Sequence, residues 1–259
     1  MTGDPIILCY HAVSDTWPDV GVVAPTVLDR QIRHLLRRRY RPLTLAAALK
    51  APASERAFVI TFDDAFHSAI ERGLPVLERL GVPATLFVPT DFATEAAPMT
   101  WSTLGQWVGT EHEPELRCMS WDDVRRLADA GWEVGSHTCS HPDLTAVDRE
   151  RAMAELLRSR ELCEAEVQRR CTSLAYPFGA YDSRVIALAR EADYELAVTL
   201  GDRLLEPLGS ASRFELPREG VYRSTGWPQF ALTTSPLLRN LRNTRVYGGL
   251  NALFRRQVR

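Results

Sequence analysis

The chain has 259 residues, of which 45% are hydrophobic and 25% charged, and its formal net charge is -2. This length and composition are typical of a globular protein that can build one sizeable α/β barrel core. A charge so close to neutral gives no reason to expect a nucleic-acid partner. No apolar run approaches the roughly 18 residues that span a bilayer. Residues 1–5 lack the pattern of a signal peptide, so we expect a cytoplasmic location.

Five cysteines are scattered along the chain, and no two of them form a CxxC pair. The odd number and the wide spacing argue against a disulfide framework and against a cysteine-rich zinc site. We therefore expect the cysteines to pack as small hydrophobic side chains.

Short apolar runs alternate with helical patterns along most of the chain. The predicted strands are 6–10, 57–61, 84–88, 132–136, 173–176, 196–199 and 213–216. The predicted helices are 27–39 with Thr26 as N-cap, 68–80, 121–130 with Ser120 as N-cap, 148–170 and 182–192. Mostly apolar strands with few alternations are typical of parallel strands that are buried on both faces. The repeated strand–helix units therefore predict a parallel α/β sheet, either open or closed into a barrel.

Two stretches depart from this alternation. Residues 92–115 are poorly periodic and contain Gly, Pro and Trp, so they form a lid, a substrate-binding insertion or a plain excursion. No acidic residue follows Glu219, and six arginines follow Leu237. We expect a catalytic domain over 1–225 and a basic helical extension over 226–259. That extension either packs on the domain or contacts anionic lipid or a lipid-linked substrate.

Two adjacent acids, Asp63 and Asp64, directly follow the apolar run 57–60 and two further residues, Thr61 and Phe62. Two carboxylates at the end of a buried strand repel each other unless a positive group lies beside them, and a divalent cation is the simplest such group. The C-terminal ends of parallel strands face the active site in α/β folds. The alternative is a pair of helix-capping acids, because a helical pattern follows at once.

His137 and His141 lie four residues apart, directly after the apolar run 132–135. Pro142 disfavours the α region for His141, so we expect the pair on a turn at a strand end rather than within a helix. Two imidazoles at this spacing, with paired acids elsewhere in the chain, favour a metal site over structural histidines. The predicted ligands are Asp64, His137 and His141.

Two imidazoles and one carboxylate suit zinc hydrolysis, but the same set can hold non-haem iron for oxygen chemistry. The spare acid, Asp63, favours hydrolysis, because hydrolysis needs a base beside the attacking water. Zinc is the first choice of ion from the ligand types, and cobalt or manganese are alternatives.

Two further motifs follow predicted strands. The YPFG turn, residues 176–179, can aim a backbone N–H at an oxyanion, although by itself it also reads as a plain tight turn. His11 follows the first strand and can protonate a leaving amine, or it is a hydrogen-bonded histidine on the rim.

With these motifs in order, the chain resembles the polysaccharide deacetylases of the NodB-homology type, carbohydrate esterase family 4, over about residues 6–222. TFDD, the SHTCSH segment, YPFG and the closing LPR carry the resemblance. It implies a distorted (β/α) barrel with seven or so strands. The site residues that it implies are the base Asp63, the metal ligands Asp64, His137 and His141, the backbone oxyanion donor Phe178, and the substrate-binding residues Tyr176, Pro177 and Phe178.

The chain departs from the family pattern in two places. Many members carry an arginine at the start of the third motif, which orients the base, where this chain has Ala175. Arg218 is the predicted replacement. The late Leu-x-His motif that supplies the acid is also missing, and the opening segment ILCYH, which ends at His11, is similar to that element moved to the N-terminus. This order is similar to that of the permuted deacetylases acting on poly-β-1,6-N-acetylglucosamine.

The resemblance implies hydrolysis of an N-acetyl group on an aminosugar-containing poly- or oligosaccharide or glycoconjugate. The sequence leaves other functions open. They are a deformylase or amidase acting on another acyl amide, a sugar-binding barrel without chemistry and, remotely, an iron oxygenase. An N-acetylated sugar is the expected partner, and the sequence does not indicate an oligomeric state.

Overall fold

The computed structural model describes residues 5–52, 54–95, 97–101, 103–200 and 212–236. Most of the predicted basic extension, 237–259, lies outside the described residues. The strands are β1 (Ile6–Tyr10), β2 (Ala12–Val13), β3 (Val22–Val23), β4 (Arg41–Leu43), β5 (Ala57–Phe62), β6 (Thr85–Val88), β7 (Glu133–Ser136), β8 (Ser173–Ala175), β9 (Leu196–Leu200) and β10 (Leu216–Gly220). The helices are α1 (Pro25–Arg37), α2 (Leu45–Lys50), α3 (Leu74–Leu80), α4 (Thr90–Glu95), α5 (Trp121–Asp129), α6 (Arg149–Val167), α7 (Ser183–Glu191) and α8 (Trp227–Thr233).

Seven parallel strands close into a barrel. Around the barrel the order is β1, β10, β9, β8, β7, β6 and β5, and β5 returns to β1 over five paired positions. β4 lies on the same edge of β5 as β6 does, but pairs nearer the start of that strand. The prediction of a distorted (β/α) barrel with seven or so strands is confirmed.

The strands divide their side chains between two apolar layers, as β5 illustrates. Phe58, Ile60 and Phe62 belong to the large core between the strands and the helices. Val59 belongs to a smaller cluster inside the barrel, to which α2 also contributes. Because side chains alternate along a strand, Thr61 and then Asp63 continue on the inner side. All five cysteines are buried and free, as expected.

Of the two N-cap residues predicted from local sequence patterns, the structure confirms one and contradicts the other. Ser120 caps α5 in a capping box with Asp123, as predicted. The predicted Thr26 N-cap is wrong, because α1 begins at Pro25 with Ala24 as its N-cap. Proline suits the first helical position, since its missing N–H would have no partner there.

Three other predicted bounds change in the structure. The predicted helix 68–80 is a π-helical turn, Ala69–Gly73, followed by α3, and α6 ends three residues before the predicted end at 170. The predicted strand 213–216 is mostly a turn, in which Glu215 N–H donates to Ser212 O at 2.8 Å. β10 begins where that prediction ends, which places Arg218 within a barrel strand.

Among the described residues, no helix is both long and apolar enough to cross a membrane. The cytoplasmic location stays a prediction. α8 packs against α1, where the Arg30 guanidinium lies 4.0 Å from the centre of the Trp227 ring and Phe230 is buried. The domain boundary at 225 also stays a prediction.

Candidate metal centre and active site

The predicted site residues follow the C-terminal ends of barrel strands. His11 follows β1, Asp63 and Asp64 follow β5, and His137 follows β7. Backbone hydrogen bonds extend the sheet to these positions, since Asp63 N–H donates to Tyr10 O at 3.0 Å. A parallel barrel places all these strand ends on one rim. Segments far apart in the sequence therefore converge there.

Several non-glycine residues on this rim have left-handed backbone. The φ angle is 66° at Asp64, 66° at Thr138, 58° at His141 and 57° at Phe178. Such conformations are uncommon outside glycine and concentrate at functional sites, where the surrounding structure holds them. The positive φ of His141 agrees with the predicted effect of Pro142, which disfavours the right-handed α region.

Asp64, His137 and His141 bring three ligand atoms together. The two histidine Nε2 atoms lie 3.3 and 3.4 Å from Asp64 Oδ1 and 3.2 Å from each other. A tetrahedral ion with bonds of about 2.0–2.1 Å has ligand atoms about 3.3–3.4 Å apart. All three side chains are buried, and Asp64 Oδ1 has no hydrogen-bond partner among the described residues. The donor set and its spacing fit one divalent cation.

Different contacts orient the two imidazoles. His137 Nδ1 lies 2.8 Å from Ala175 O, and because a carbonyl only accepts, Nδ1 donates its hydrogen there, which leaves Nε2 directed at Asp64. The His141 ring is instead held between aromatic rings. Trp101 stacks on it with the ring centres 4.0 Å apart, and Phe178 meets it edge-on at 4.6 Å.

The electrostatics of this cluster favour a single positive charge. Burial lowers the pKa of His137, but the Asp64 and Asp63 carboxylates outweigh it and the net pKa is raised. Burial and the neighbouring His137 lower the pKa of His141 to about 3. Burial raises the pKa of Asp64, but the two histidines outweigh it and lower the pKa overall. A buried cluster that stabilises one positive charge in this way is what a cation site requires.

Asp63 lies beside the three ligand residues in a buried ion pair with Arg218. Arg218 Nη1 donates to Oδ1 and Nη2 donates to Oδ2, both at 2.6 Å. Arg218 also donates to Thr61 Oγ1 at 3.0 Å and to Thr199 O at 3.2 Å, so the guanidinium is fixed on two sides. The structure thus places Arg218 against the carboxylate of Asp63, the predicted base that Arg218 is predicted to orient.

The ion pair sets the protonation state of Asp63. Burial alone raises the pKa of this carboxyl, but the Arg218 guanidinium and His137 hold it well below its usual range. The Cys9 thiol donates a further hydrogen bond to Asp63 Oδ2 at 3.4 Å. Asp63 is therefore an ionised and rigidly held acceptor next to the cluster of Asp64, His137 and His141.

His11 lies half-buried on the same rim. One of its ring nitrogens is within 4.8 Å of both the Asp63 carboxylate and the Cys9 thiol. Its buried Nδ1 has no hydrogen-bond partner in the part of the chain that the structure describes. The imidazole lines the cleft over the site, where it can exchange a proton with a bound molecule.

A cleft of about 500 Å³ opens over the ligands and Asp63. Its aromatic walls are formed by Trp17, Phe66, Trp101, Tyr176, Phe178 and Tyr222. Both carboxylate oxygens of Asp19 in the wall are already engaged, by Gly21 N–H and by Trp107 Nε1–H, each at 2.8 Å. The cleft therefore offers mainly apolar surface around a small polar centre, as ligand sites commonly do.

Most of these aromatic walls, and the contact of Cys9 with Asp63, were not predicted from the sequence. Trp101 lies within the stretch 92–115, whose poor periodicity left a lid, a substrate-binding insertion or a plain excursion open, and Leu104 and Gln106 from that stretch also line the cleft. Trp17 lies in the loop between β2 and β3, and no sequence motif marked it. Pro177 is buried and is not among the cleft-lining residues, whereas the neighbouring Tyr176 and Phe178 are.

The turn at 176–179 depends on a glycine. Tyr176 is anchored by its hydroxyl, which donates to Phe214 O at 3.1 Å, and the Phe178 side chain is 47% exposed at the cleft. Gly179 has φ of 66°, and a β-carbon there would lie 2.0 Å from Leu200 O. Only glycine lets the turn approach β9 this closely.

We expect Gly179→Ala to lower the free energy of unfolding by on the order of 4 kcal/mol, because both the left-handed backbone and the overlap with Leu200 O oppose a β-carbon. Gly81→Ala is the matched control, with φ of 64° and no atom within 4 Å of the added carbon. It should lose only about 1–2 kcal/mol. Denaturant unfolding measures both, and equal losses would contradict the steric argument.

Several known proteins are similar to this chain in sequence and in fold. A family model described as polysaccharide deacetylase matches residues 50–197. YxkH of Bacillus subtilis (strain 168) is 25% identical over 212 aligned residues, which cover 80% of this chain and 66% of that protein. The poly-beta-1,6-N-acetyl-D-glucosamine N-deacetylase of Escherichia coli (strain K12) is 22% identical over 272 aligned residues, which cover 87% of this chain and 38% of that protein.

Among solved structures, the Streptococcus pyogenes deacetylase PplD in complex with acetate is similar to this chain with a TM-score of 0.74 and 20% identity. The match covers 91% of this chain and 100% of that one, and it shows a shared fold. The chain spans 66% and 38% of the lengths of the two curated relatives. Because the family model matches more than half of its residues, the chain belongs to the polysaccharide deacetylase family.

Proposed function

We propose that this chain is a divalent-cation-dependent hydrolase that removes N-acetyl groups from an aminosugar-containing poly- or oligosaccharide or glycoconjugate, with release of acetate. One observation carries the proposal: the ligand atoms of Asp64, His137 and His141 lie 3.2–3.4 Å apart, and an ionised Asp63 lies beside them. The family supports it, and so does the Escherichia coli relative, whose name states N-deacetylation of poly-N-acetylglucosamine.

Asp64, His137 and His141 would hold the cation, with zinc as first choice and cobalt or manganese as alternatives. A bound cation supplies Lewis-acid polarisation of the acetyl carbonyl and lowers the pKa of water at the site. The hydrogen bond from His137 to Ala175 O keeps Nε2 free for such an ion.

Asp63 is the general base in this proposal, and it accepts a proton from the water that attacks the acetyl carbonyl. Arg218 keeps that carboxylate ionised and fixes both of its oxygens. His11 is the general acid, which protonates the amine as the C–N bond breaks. Its place on the rim, within 4.8 Å of Asp63, is compatible with that role.

The turn at 176–179 supplies the remaining contacts. The backbone N–H of Phe178 donates to the carbonyl oxygen as negative charge develops on it. The rings of Tyr176 and Phe178 contact the sugar, while the buried Pro177 shapes the turn. The aromatic cleft walls suit the apolar faces of sugar rings. Contact of the segment 237–259 with a membrane or a lipid-linked glycan remains a prediction outside the described residues.

We expect removal of the metal to reduce acetate release from N-acetylated chito-oligosaccharides to background, because the carbonyl then loses its polarising charge. Adding zinc, cobalt or manganese back should restore activity to the wild type. His137→Ala, which lacks one ligand, should bind the metal far more weakly and recover little. Acetate release that survives exhaustive chelation would contradict metal dependence.

Assays of acid release also distinguish the alternative functions. A metal-loaded protein that binds the oligosaccharides without releasing acetate would be a sugar-binding barrel. Release of formate or another acid from N-formyl or other N-acyl amides, with no acetate from the oligosaccharides, would make it a deformylase or amidase. A requirement for ferrous iron and oxygen would favour the oxygenase that the same ligand types allow.

A further inference from the structure

We infer that Glu155 is a positioning residue for the metal site, because its buried carboxylate holds the loop that carries the second histidine ligand. The inference rests on the metal site of the proposed function. Glu155 lies in α6, has 8% of its surface exposed, and points at the loop between His137 and His141 rather than into the cleft.

Three hydrogen bonds join the carboxylate of Glu155 to this loop. Its Oε2 accepts from Cys139 N–H and from Ser140 N–H, both at 2.9 Å. Its Oε1 accepts from the Ser140 hydroxyl at 2.6 Å. Two successive backbone N–H groups that converge on one anion form a nest, and the anion here is a side chain of the same chain.

The loop needs such an anchor because its own backbone is strained. Thr138 and His141 flank the nest with φ of 66° and 58°, and neither is glycine. The opposite side of the loop is tied to the start of α4, where Asp91 N–H donates to Cys139 O at 3.1 Å. Glu155 satisfies the N–H groups on the other side, so the loop is held from both directions.

Metal geometry depends on this loop. His137 is fixed by β7 and by Ala175 O, whereas residues 138–140 place the backbone of His141, and Trp101 and Phe178 pack on its ring. The separation of 3.2 Å between the two Nε2 atoms therefore depends on the loop that Glu155 anchors. Loss of the anchor lets His141 move away while His137 and Asp64 stay in place.

The test is metal affinity, measured by competition with a chromogenic chelator for zinc and for cobalt. Glu155→Met removes both acceptor oxygens at similar volume, and we expect the dissociation constant to rise about 10- to 100-fold. Glu155→Gln keeps one oxygen for the two N–H groups and an amide that can donate to the Ser140 hydroxyl. We expect it to restore affinity to within about 10-fold of the wild type.

Glu133→Met is the matched control. Glu133 is a second carboxylate that accepts from a backbone N–H, that of Ala46 at 2.8 Å, and from Ser173 Oγ at 2.8 Å, away from the metal ligands. It should lower thermal stability as Glu155→Met does and leave the metal affinity unchanged. Ser140→Ala removes only the bond from the Ser140 hydroxyl and should weaken metal binding a few-fold. This variant tests the anchor should Glu155→Met fail to fold.

The outcomes separate the two proposals. Tight metal binding by the wild type, with equal affinity in Glu155→Met and Ser140→Ala, would overturn the role of Glu155 alone. An equal loss of affinity in Glu133→Met would assign the effect to general destabilisation and also overturn it. A wild type that binds neither zinc nor cobalt would overturn the metal site itself, and the inference with it.

Discussion

Asp63→Asn is expected to reduce turnover by about 10³-fold or more while the dissociation constant for the metal stays within a few-fold of the wild type. A positioned general base contributes roughly 10²–10⁴-fold to rate, and an amide cannot accept the proton from water. The metal affinity should persist because Asp64, His137 and His141 supply the proposed ligand atoms, whereas both oxygens of Asp63 are paired with Arg218. Steady-state acetate release, normalised to the metal bound per chain, measures the first effect, and chelator competition measures the second.

Asp64→Asn is the matched control, with the same substitution one residue along the chain. Asp64 Oδ1 lies 3.3–3.4 Å from both histidine Nε2 atoms, so this variant should lose metal affinity first and activity as a consequence. High metal concentration should recover part of the activity of Asp64→Asn and none of that of Asp63→Asn. Unchanged turnover in Asp63→Asn would refute its assignment as the base.

The barrel was largely predictable because parallel strands buried on both faces appear in the sequence as short apolar runs. The run predicted at 57–61 is the strand Ala57–Phe62, and the run predicted at 6–10 is the strand Ile6–Tyr10. The convergence of Asp64 with His137 was also predictable, because strand C-termini in a closed parallel barrel share one rim.

β10 was misplaced because its residues carry little strand propensity of their own. Pro217, Arg218, Glu219 and Gly220 are all residue types that strands disfavour or do not select. The strand forms because its backbone pairs with β1 and β9 and because Asp63 neutralises the buried guanidinium. Contacts with residues so distant in sequence leave no local periodicity from which the strand could be predicted.

Most of the aromatic cleft walls were not predictable for a similar reason, although Tyr176 and Phe178 were predicted. Trp17 is in a loop and is placed by its packing on Phe66 and Trp107, with ring centres 5.5 and 6.0 Å apart. Trp101 is placed by its stack on His141. These positions follow from the tertiary fold. The poor periodicity of 92–115 marked a departure from the strand–helix alternation, but it did not indicate which rings that stretch would present.

Arg218→Met is expected to lower the free energy of unfolding by about 3–5 kcal/mol, because it leaves the Asp63 carboxylate buried without its partner. The side chains of this pair are 0% and 3% exposed, so water cannot replace the guanidinium. Turnover should also fall sharply, since Asp63 loses both the charge that keeps it ionised and the two bonds that orient it. Denaturant unfolding at neutral pH and acetate release measure the two effects.

The pH dependence of stability identifies the cause of the stability loss in Arg218→Met. In the wild type the pKa of Asp63 lies below the ordinary value of about 3.9, so its ionisation stabilises the fold above that pH and this contribution is lost as the pH falls. In Arg218→Met, burial is no longer opposed by the guanidinium, so the folded-state pKa should lie above the unfolded value. Stability is then lost as the pH rises through it. The stability gap between the two proteins should therefore widen from acid to neutral pH.

The double variant Asp63→Asn/Arg218→Met tests whether the carboxylate is responsible. It has no ionisable group at either position, so it should recover much of the stability that Arg218→Met loses at neutral pH. Its gap to the wild type at neutral pH should be smaller than that of Arg218→Met, because replacing both members of a buried pair costs less than removing one. If the double variant is as unstable as Arg218→Met and the pH dependence of the two is the same, the loss comes from missing arginine packing, and the electrostatic role of Arg218 toward Asp63 is wrong.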